Sequence, residues 1–189
     1  MSADAMTTRP HIGIAGAART GKDTAAAWFT AHGWERASFA DPLRAMALDV
    51  DPYVEVPSLE GVSFLRLSYV VSNLGWEHAK EYPDVRRFLQ RLGTDGVRNH
   101  LGVDTWVTTA MSALTGPGVF SDVRFPNEAD AIRSAGGIVI RLVRTEAAPV
   151  GEHESESALN GYDFDAIVLN DGSVADLHRR MGATVVRTP

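Results

Sequence analysis

Residues 11–24 read HIGIAGAARTGKDT, and no other stretch constrains the chain as strongly. A short β-branched run, His11–Ala15, leads to Gly16, and Gly21-Lys22 follows after four residues. An apolar run of that length bounded by glycine predicts a buried strand. The Ala-rich segment Lys22–His32, stopped by Gly33, predicts a helix. GxxxxGK between a strand and a helix builds a loop whose backbone N–H groups wrap an anion. The positive end of the helix adds to that field, and Lys22 supplies a mobile charge for the terminal phosphates. The chain has 16 arginines but only two lysines, Lys22 and Lys80. That one of the two stands at this position matters, because the planar guanidinium fork is no substitute for a compact ammonium. The residue after the lysine is normally Ser or Thr, whose hydroxyl holds Mg²⁺. Here it is Asp23, followed by Thr24, and both are metal candidates.

Beyond the loop, short apolar runs alternate with amphipathic ones. Strands are expected at Arg36–Ala40, Val119–Ser121, Ile138–Val143 and Ala166–Leu169. Helices are expected from Asp41-Pro42 to about Leu48, over Phe64–Ala79, Pro83–Leu101, Asp104–Leu114 and Pro126–Ala135, and from Gly172 through Met181. In Pro83–Leu101 the residues Val85, Phe88, Leu89 and Leu92 fall on one face. The strands are runs rather than alternations, as when both faces are covered. The pattern is α/β, with a five-stranded, mainly parallel sheet in a three-layer fold of the phosphate-loop NTPase type. With 189 residues, the chain suits a single domain, 1–189. Residues from about 50 to 115 form a helical insertion in this reading, and the polar stretch from about 144 to 161 forms a lid.

The absence of cysteine excludes disulfide scaffolds, thiolate metal sites and a cysteine nucleophile. A net charge of −6 argues against a nucleic-acid partner. No apolar run approaches membrane-spanning length. The N-terminus lacks a secretory pattern, so the expected address is cytoplasmic.

Ligands of such sheets sit at the carboxyl ends of the strands. After the second strand, Arg44 lies one turn into a helix, either as a phosphate ligand or as a solvated side chain. After the third, Asp122 takes the place of a carboxylate that binds Mg²⁺, with Arg124 two residues on. After the fourth come Arg144 and the stretch His153–Glu156. After the fifth, Asn170 and Gly172 open a turn that offers backbone groups to a purine, or simply caps the last helix. Arg86 and Gln90, four apart on one helix, project together, and Arg87 and Arg91 form the neighbouring stripe.

The segments GAARTGKDT, SFADPLR, VRRFLQRLGTDGVR, DVRFPNEAD, HESE and LNDGS occur in that order over most of the chain. Together they resemble the phage-type deoxynucleoside monophosphate kinases, in which the GKDT form of the loop is usual. The resemblance implies γ-phosphoryl transfer from ATP-Mg²⁺ to a deoxynucleoside monophosphate (dNMP), yielding the diphosphate for DNA synthesis. It implies catalytic roles for Lys22, Arg124 and Arg144. Gly16, Arg19, Gly21, Lys22, Asp23, Thr24, Asn170 and Gly172 would bind ATP, and Asp23, Thr24 and Asp122 would hold the metal. Arg44, Lys80, Arg86, Gln90, Asp122, Arg124, His153 and Glu156 would bind the acceptor, and residues 50–115 would become the monophosphate-binding lobe. Over 51–80 only Trp76 and Lys80 match the family. The resemblance also implies a homodimer, in the host cytoplasm if phage-encoded. The competing readings are a phosphate-loop kinase of another small phosphorylated acceptor, such as dephospho-coenzyme A or phosphomevalonate, and a nucleotide-binding regulator without phosphoryl transfer.

Overall fold

The computed structural model describes residues 9–59, 61–144 and 158–187. The chain divides into two compact units. One comprises residues 1–39 and 110–189, the other residues 40–109.

The first unit is built on a parallel sheet. Its strands are β1 (Ile12–Ala15), β2 (Glu35–Ala37), β5 (Gly118–Val123), β6 (Ile138–Val143) and β7 (Ala166–Leu169), in the order β2-β5-β1-β6-β7. All four pairings are parallel. The expected five strands are present, and β2 is shorter than Arg36–Ala40 and starts one residue earlier. Ile12 and Ile14 of β1 pack into a core with Ala25, Ala26 and Phe29 of helix α1 (Lys22–Ala31) and Leu177 and Met181 of the C-terminal helix (Val174–Arg187). Gly13 points the other way, where a side chain would meet Ile132 Cδ1 at 2.7 Å. Ile132 belongs to helix Pro126–Ser134, which therefore covers the opposite face. The result is helix, sheet, helix. Because β1 is flanked by β5 and β6, the strand order reverses beside it. The loop that leaves β1 therefore emerges at the topological switch point, where such sheets bind ligands.

The second unit begins with α2 (Asp41–Val50), which carries Pro42 in its first turn. Residues 53–59 and 61–66 are not helical. Strands β3 (Tyr53–Ser58) and β4 (Gly61–Arg66) form an antiparallel hairpin. Helix α3 follows at Leu67–Ala79, kinked at Gly75, so the helix expected from Phe64 begins three residues later. The single helix expected over Pro83–Leu101 is three pieces in line. These are α4 (Pro83–Gln90), a π-helical segment (Arg91–Arg98) and a last turn, α5 (Asn99–Leu101). Val54, Val56, Leu67, Val70 and Val85 form the core of this unit. The lobe is thus mixed rather than wholly helical. Helix α6 (Thr105–Ser112) follows, and the helices of the first unit are α7 (Pro126–Ser134) and α8 (Val174–Arg187).

Candidate active site

The loop between β1 and α1 has the geometry that its glycines require. At Gly16 φ is +151°, and a Cβ there would lie 2.4 Å from the Leu142 carbonyl oxygen. Gly21, at φ +94°, is the N-cap of α1 and provides no side-chain cap. The first amides of the helix are thus left without a capping side chain, as an anion site needs. Arg19 takes the left-handed conformation at φ +64°. A non-glycine residue held there carries backbone strain, which concentrates at ligand-binding loops. Buried Thr20 braces the turn by donating its hydroxyl to Ala17 O at 2.9 Å. Lys22 lies across the loop, and its ammonium donates to Gly16 O and Ala17 O, both at 2.7 Å.

The other sequence candidates of this unit lie on α1 and at or beyond the carboxyl ends of β5, β6 and β7. Asp23 sits in the first turn of α1, where the helix dipole favours a carboxylate. Its Oδ1 accepts from Arg36 Nη2 at 2.7 Å and from the Ser121 hydroxyl at 2.8 Å. Thr24 is half-buried, and its carbonyl lies 3.0 Å from His178 Nε2. Asp122 sits near the end of β5 and receives the Ser38 hydroxyl at 2.6 Å and the Phe39 amide at 3.1 Å. Arg124 is exposed just past β5. Its backbone amide, like that of Phe125, is tied down by the buried Glu128 carboxylate at the start of α7. Arg144 is exposed just past β6. Asn170 is turned inward, and its amide donates to the Thr20 carbonyl at 2.8 Å. It therefore braces the β1–α1 loop. Gly172 lies in the exposed turn before α8. His153, Glu156 and most of the expected lid, residues 145–157, lie outside the described residues.

Asp23, Thr24 and Asp122 offer hard oxygen donors, which suit Mg²⁺. Among the described residues no group of three or more His, Asp and Glu side chains is gathered as a metal site. Magnesium in phosphate-transfer sites takes one or two carboxylates and completes its shell with substrate phosphates and water, so this donor set fits. Sequence reading passed over Ser121 and Arg36. The only available signals were that Ser121 directly precedes Asp122 and that Arg36 lies in β2, the strand paired with β5.

The second unit holds Arg44, Lys80, Arg86 and Gln90. Arg44 and Lys80 converge on Glu77, at 3.6 and 3.1 Å, and Arg44 also pairs with Asp41 at 3.4 Å. The Arg44 guanidinium lies 6.0 Å from the Trp76 ring centre. Its Nε is buried with no hydrogen-bond partner among the described residues. Asp41 does not cap α2 through its side chain. Arg86 and Gln90 share an exposed face of α4, as their spacing predicts. A cavity of about 610 Å³ in this unit lies beside the neighbouring stripe instead, lined by Tyr53, Asp84, Arg87, Phe88 and Arg91 among others. Neither Arg86 nor Gln90 lines it.

No helix among the described residues is long and apolar enough to cross a membrane. The chain is 29% identical to a putative deoxynucleotide monophosphate kinase of Acanthamoeba polyphaga mimivirus, over 90% of this chain and 93% of that protein. It is 30% identical to the deoxynucleotide monophosphate kinase of Enterobacteria phage T4 over 68% of this chain, a match covering 54% of the phage protein. Among solved structures, a dephospho-CoA kinase from Campylobacter jejuni aligns with a TM-score of 0.47 and 12% identity, over 93% of this chain and 95% of that one. The profile of the deoxynucleotide monophosphate kinase family matches residues 60–181. The chain belongs to the deoxynucleotide monophosphate kinase family and is a nucleotide kinase.

Proposed function

We propose that the chain transfers the γ-phosphoryl group of ATP to the 5′-phosphate of a dNMP, giving dNDP and ADP. The observation that carries this reading is the β1–α1 loop. It combines a left-handed Gly21 at the helix start with an ammonium lying over the loop carbonyls. Such a loop binds the β- and γ-phosphates through backbone N–H groups and Lys22. Mg²⁺, when bound, would be held by Asp23, Thr24 or Asp122 and would offset phosphate charge. Phosphoryl transfer asks for positioning and charge neutralisation more than covalent chemistry.

Lys22 and Arg19 neutralise the donor phosphates, and Arg124 and Arg144 stabilise charge on the transferring group. Asn170 fixes the loop from behind, and the turn at Gly172 offers backbone groups to the purine. The acceptor phosphate is already ionised, so no general base is needed. Arg44, Lys80, Arg86 and Gln90 are assigned to the acceptor, together with Asp122, His153 and Glu156. The buried, unpaired Nε of Arg44 supports its place among them, since an unsatisfied donor is retained at a cost. A coupled assay with ATP and each of dGMP, dTMP, dCMP and dAMP tests the proposal. Turnover of at least one dNMP is expected. Silence on all four, with turnover of dephospho-coenzyme A or phosphomevalonate, would move the chain to another acceptor class.

A further inference from the structure

Resting on the ATP-Mg²⁺ reading above, the geometry points to Ser121 as the residue that positions Asp23 for the metal. The loop replaces the usual metal-binding hydroxyl with a carboxylate, and a carboxylate on a free χ angle is a poor positional substitute. Here its orientation is fixed from two sides. Ser121 is buried at 8% exposure and donates its hydroxyl to Asp23 Oδ1 at 2.8 Å. Arg36 donates to the same oxygen at 2.7 Å. Oδ2 has no hydrogen-bond partner among the described residues.

The two donors are not equivalent. Arg36 is long and exposed, its side chain 56% accessible, and exposed pairs of this kind contribute little. Ser121 is short and stands on β5, a strand of the central sheet, so its hydroxyl is held by the scaffold. The next residue on the strand, Asp122, is engaged with Ser38 and Phe39. The register between β1 and β5 shifts at this point, and the two neighbouring side chains part to different elements. Asp122 fixes the end of β2, and Ser121 fixes the first turn of α1. With Oδ1 occupied, Oδ2 is the oxygen left for a cation. Ser121 touches neither metal nor nucleotide in this assignment. It is a positioning residue that acts through Asp23.

The test is calorimetric and uses the whole chain. ADP affinity is measured with Mg²⁺ and with EDTA, and the ratio of the two is the metal enhancement. Mn²⁺ binding in the presence of ADP, followed by electron paramagnetic resonance, gives a second readout. Ser121→Ala should lower the enhancement roughly ten- to a hundredfold, the loss of one hydrogen bond to a charged acceptor. Ser121→Thr, which keeps the hydroxyl, should restore it. In an Asp23→Asn background Ser121→Ala should have no further effect on the ratio, and thermal melts check that each variant is folded.

If Asp23→Asn loses the enhancement while Ser121→Ala keeps it, Asp23 is the metal carboxylate but Ser121 does not position it, and the inference fails alone. An enhancement retained in full by Asp23→Asn also refutes it. Wild-type chain that binds no ADP in either condition would instead overturn the kinase reading itself.

Discussion

Gly21 and Asn170 should behave as one mechanical unit. A Cβ on Gly21 would sit 2.6 Å from Asn170 Nδ2, the atom that donates to the Thr20 carbonyl at 2.8 Å. Gly21→Ala therefore carries two costs. Holding alanine at φ +94° costs about 1–2 kcal/mol in backbone strain. Displacing Asn170 breaks a part-buried hydrogen bond, worth about 1 kcal/mol. Together the substitution should destabilise by about 2–3 kcal/mol. Asn170→Ala alone should cost about 1 kcal/mol. In the double variant the amide is already gone, so Gly21→Ala should cost only the strain, leaving a coupling near 1 kcal/mol. Urea unfolding of the four proteins, with unchanged denaturant slopes, measures that cycle. ADP affinity measured in parallel should fall in both single variants, because each displaces the loop. If Gly21→Ala costs the same whether or not Asn170 is present, the close approach does not shape the loop, and the bracing role of Asn170 is refuted.

Lys22→Ala should leave the urea midpoint nearly unchanged and lower turnover by about a thousandfold or more, on the scale of losing a key electrostatic donor. Near-wild-type turnover would remove the loop from the donor site. Arg86→Ala should raise the KM for dNMP much more than that for ATP, whereas Arg91→Ala, at the cavity, should leave both within about twofold. The opposite pattern would transfer the acceptor site to the 610 Å³ cavity. Burial pushes His11 below the ordinary histidine value of 6.5, and its Nδ1 accepts the Gly118 amide in the neutral form. The stabilisation is complete above pH 6.5 and is lost as pH falls below it, because the unfolded chain takes the proton first. A urea midpoint that declines from pH 7 to 5 in wild type, with a shallower decline in His11→Gln, is the expected outcome; parallel declines would assign the loss to other groups.

The parallel sheet was legible because its three central strands, β1, β5 and β6, are short and largely buried apolar runs, as the two covered faces of such a sheet select. The phosphate loop was legible for a stronger reason. Its conformation is dictated by which positions lack a Cβ, and glycine is visible in sequence. The support around the loop was not. Ser121, Arg36 and Asn170 reach it through hydrogen bonds that span 98, 13 and 150 residues. No periodicity encodes pairings at such separations. The hairpin at 53–66 was hidden for a different reason. Pro57 stands inside β3, where proline normally argues against a strand. It is tolerated because the sheet has only two strands, so β3 has an edge that needs no partner.

The long helix expected from Pro83 shows where a correct period can still mislead. Val85, Phe88, Leu89 and Leu92 keep α-helical phase, and the chain is α-helical up to Gln90. Continued in that phase, Leu92 would be followed on the inner face by Asp95 or Gly96. Both are exposed. The next buried side chain is Val97, five residues after Leu92, and five is the hydrogen-bond step of a π-helix. The widened turn is held from outside. The buried Trp106 indole donates to the Gly93 carbonyl at 3.1 Å, and Leu43 packs where a Gly93 side chain would begin, at 3.0 Å. The segment RLGTDGVR is thus π-helical because its apolar residues sit at the wrong interval for an α-helix and a tryptophan 13 residues on fills the turn. A change of interval from four to five was present in the sequence. Read as a break in phase rather than as noise, it locates the π segment to within a turn.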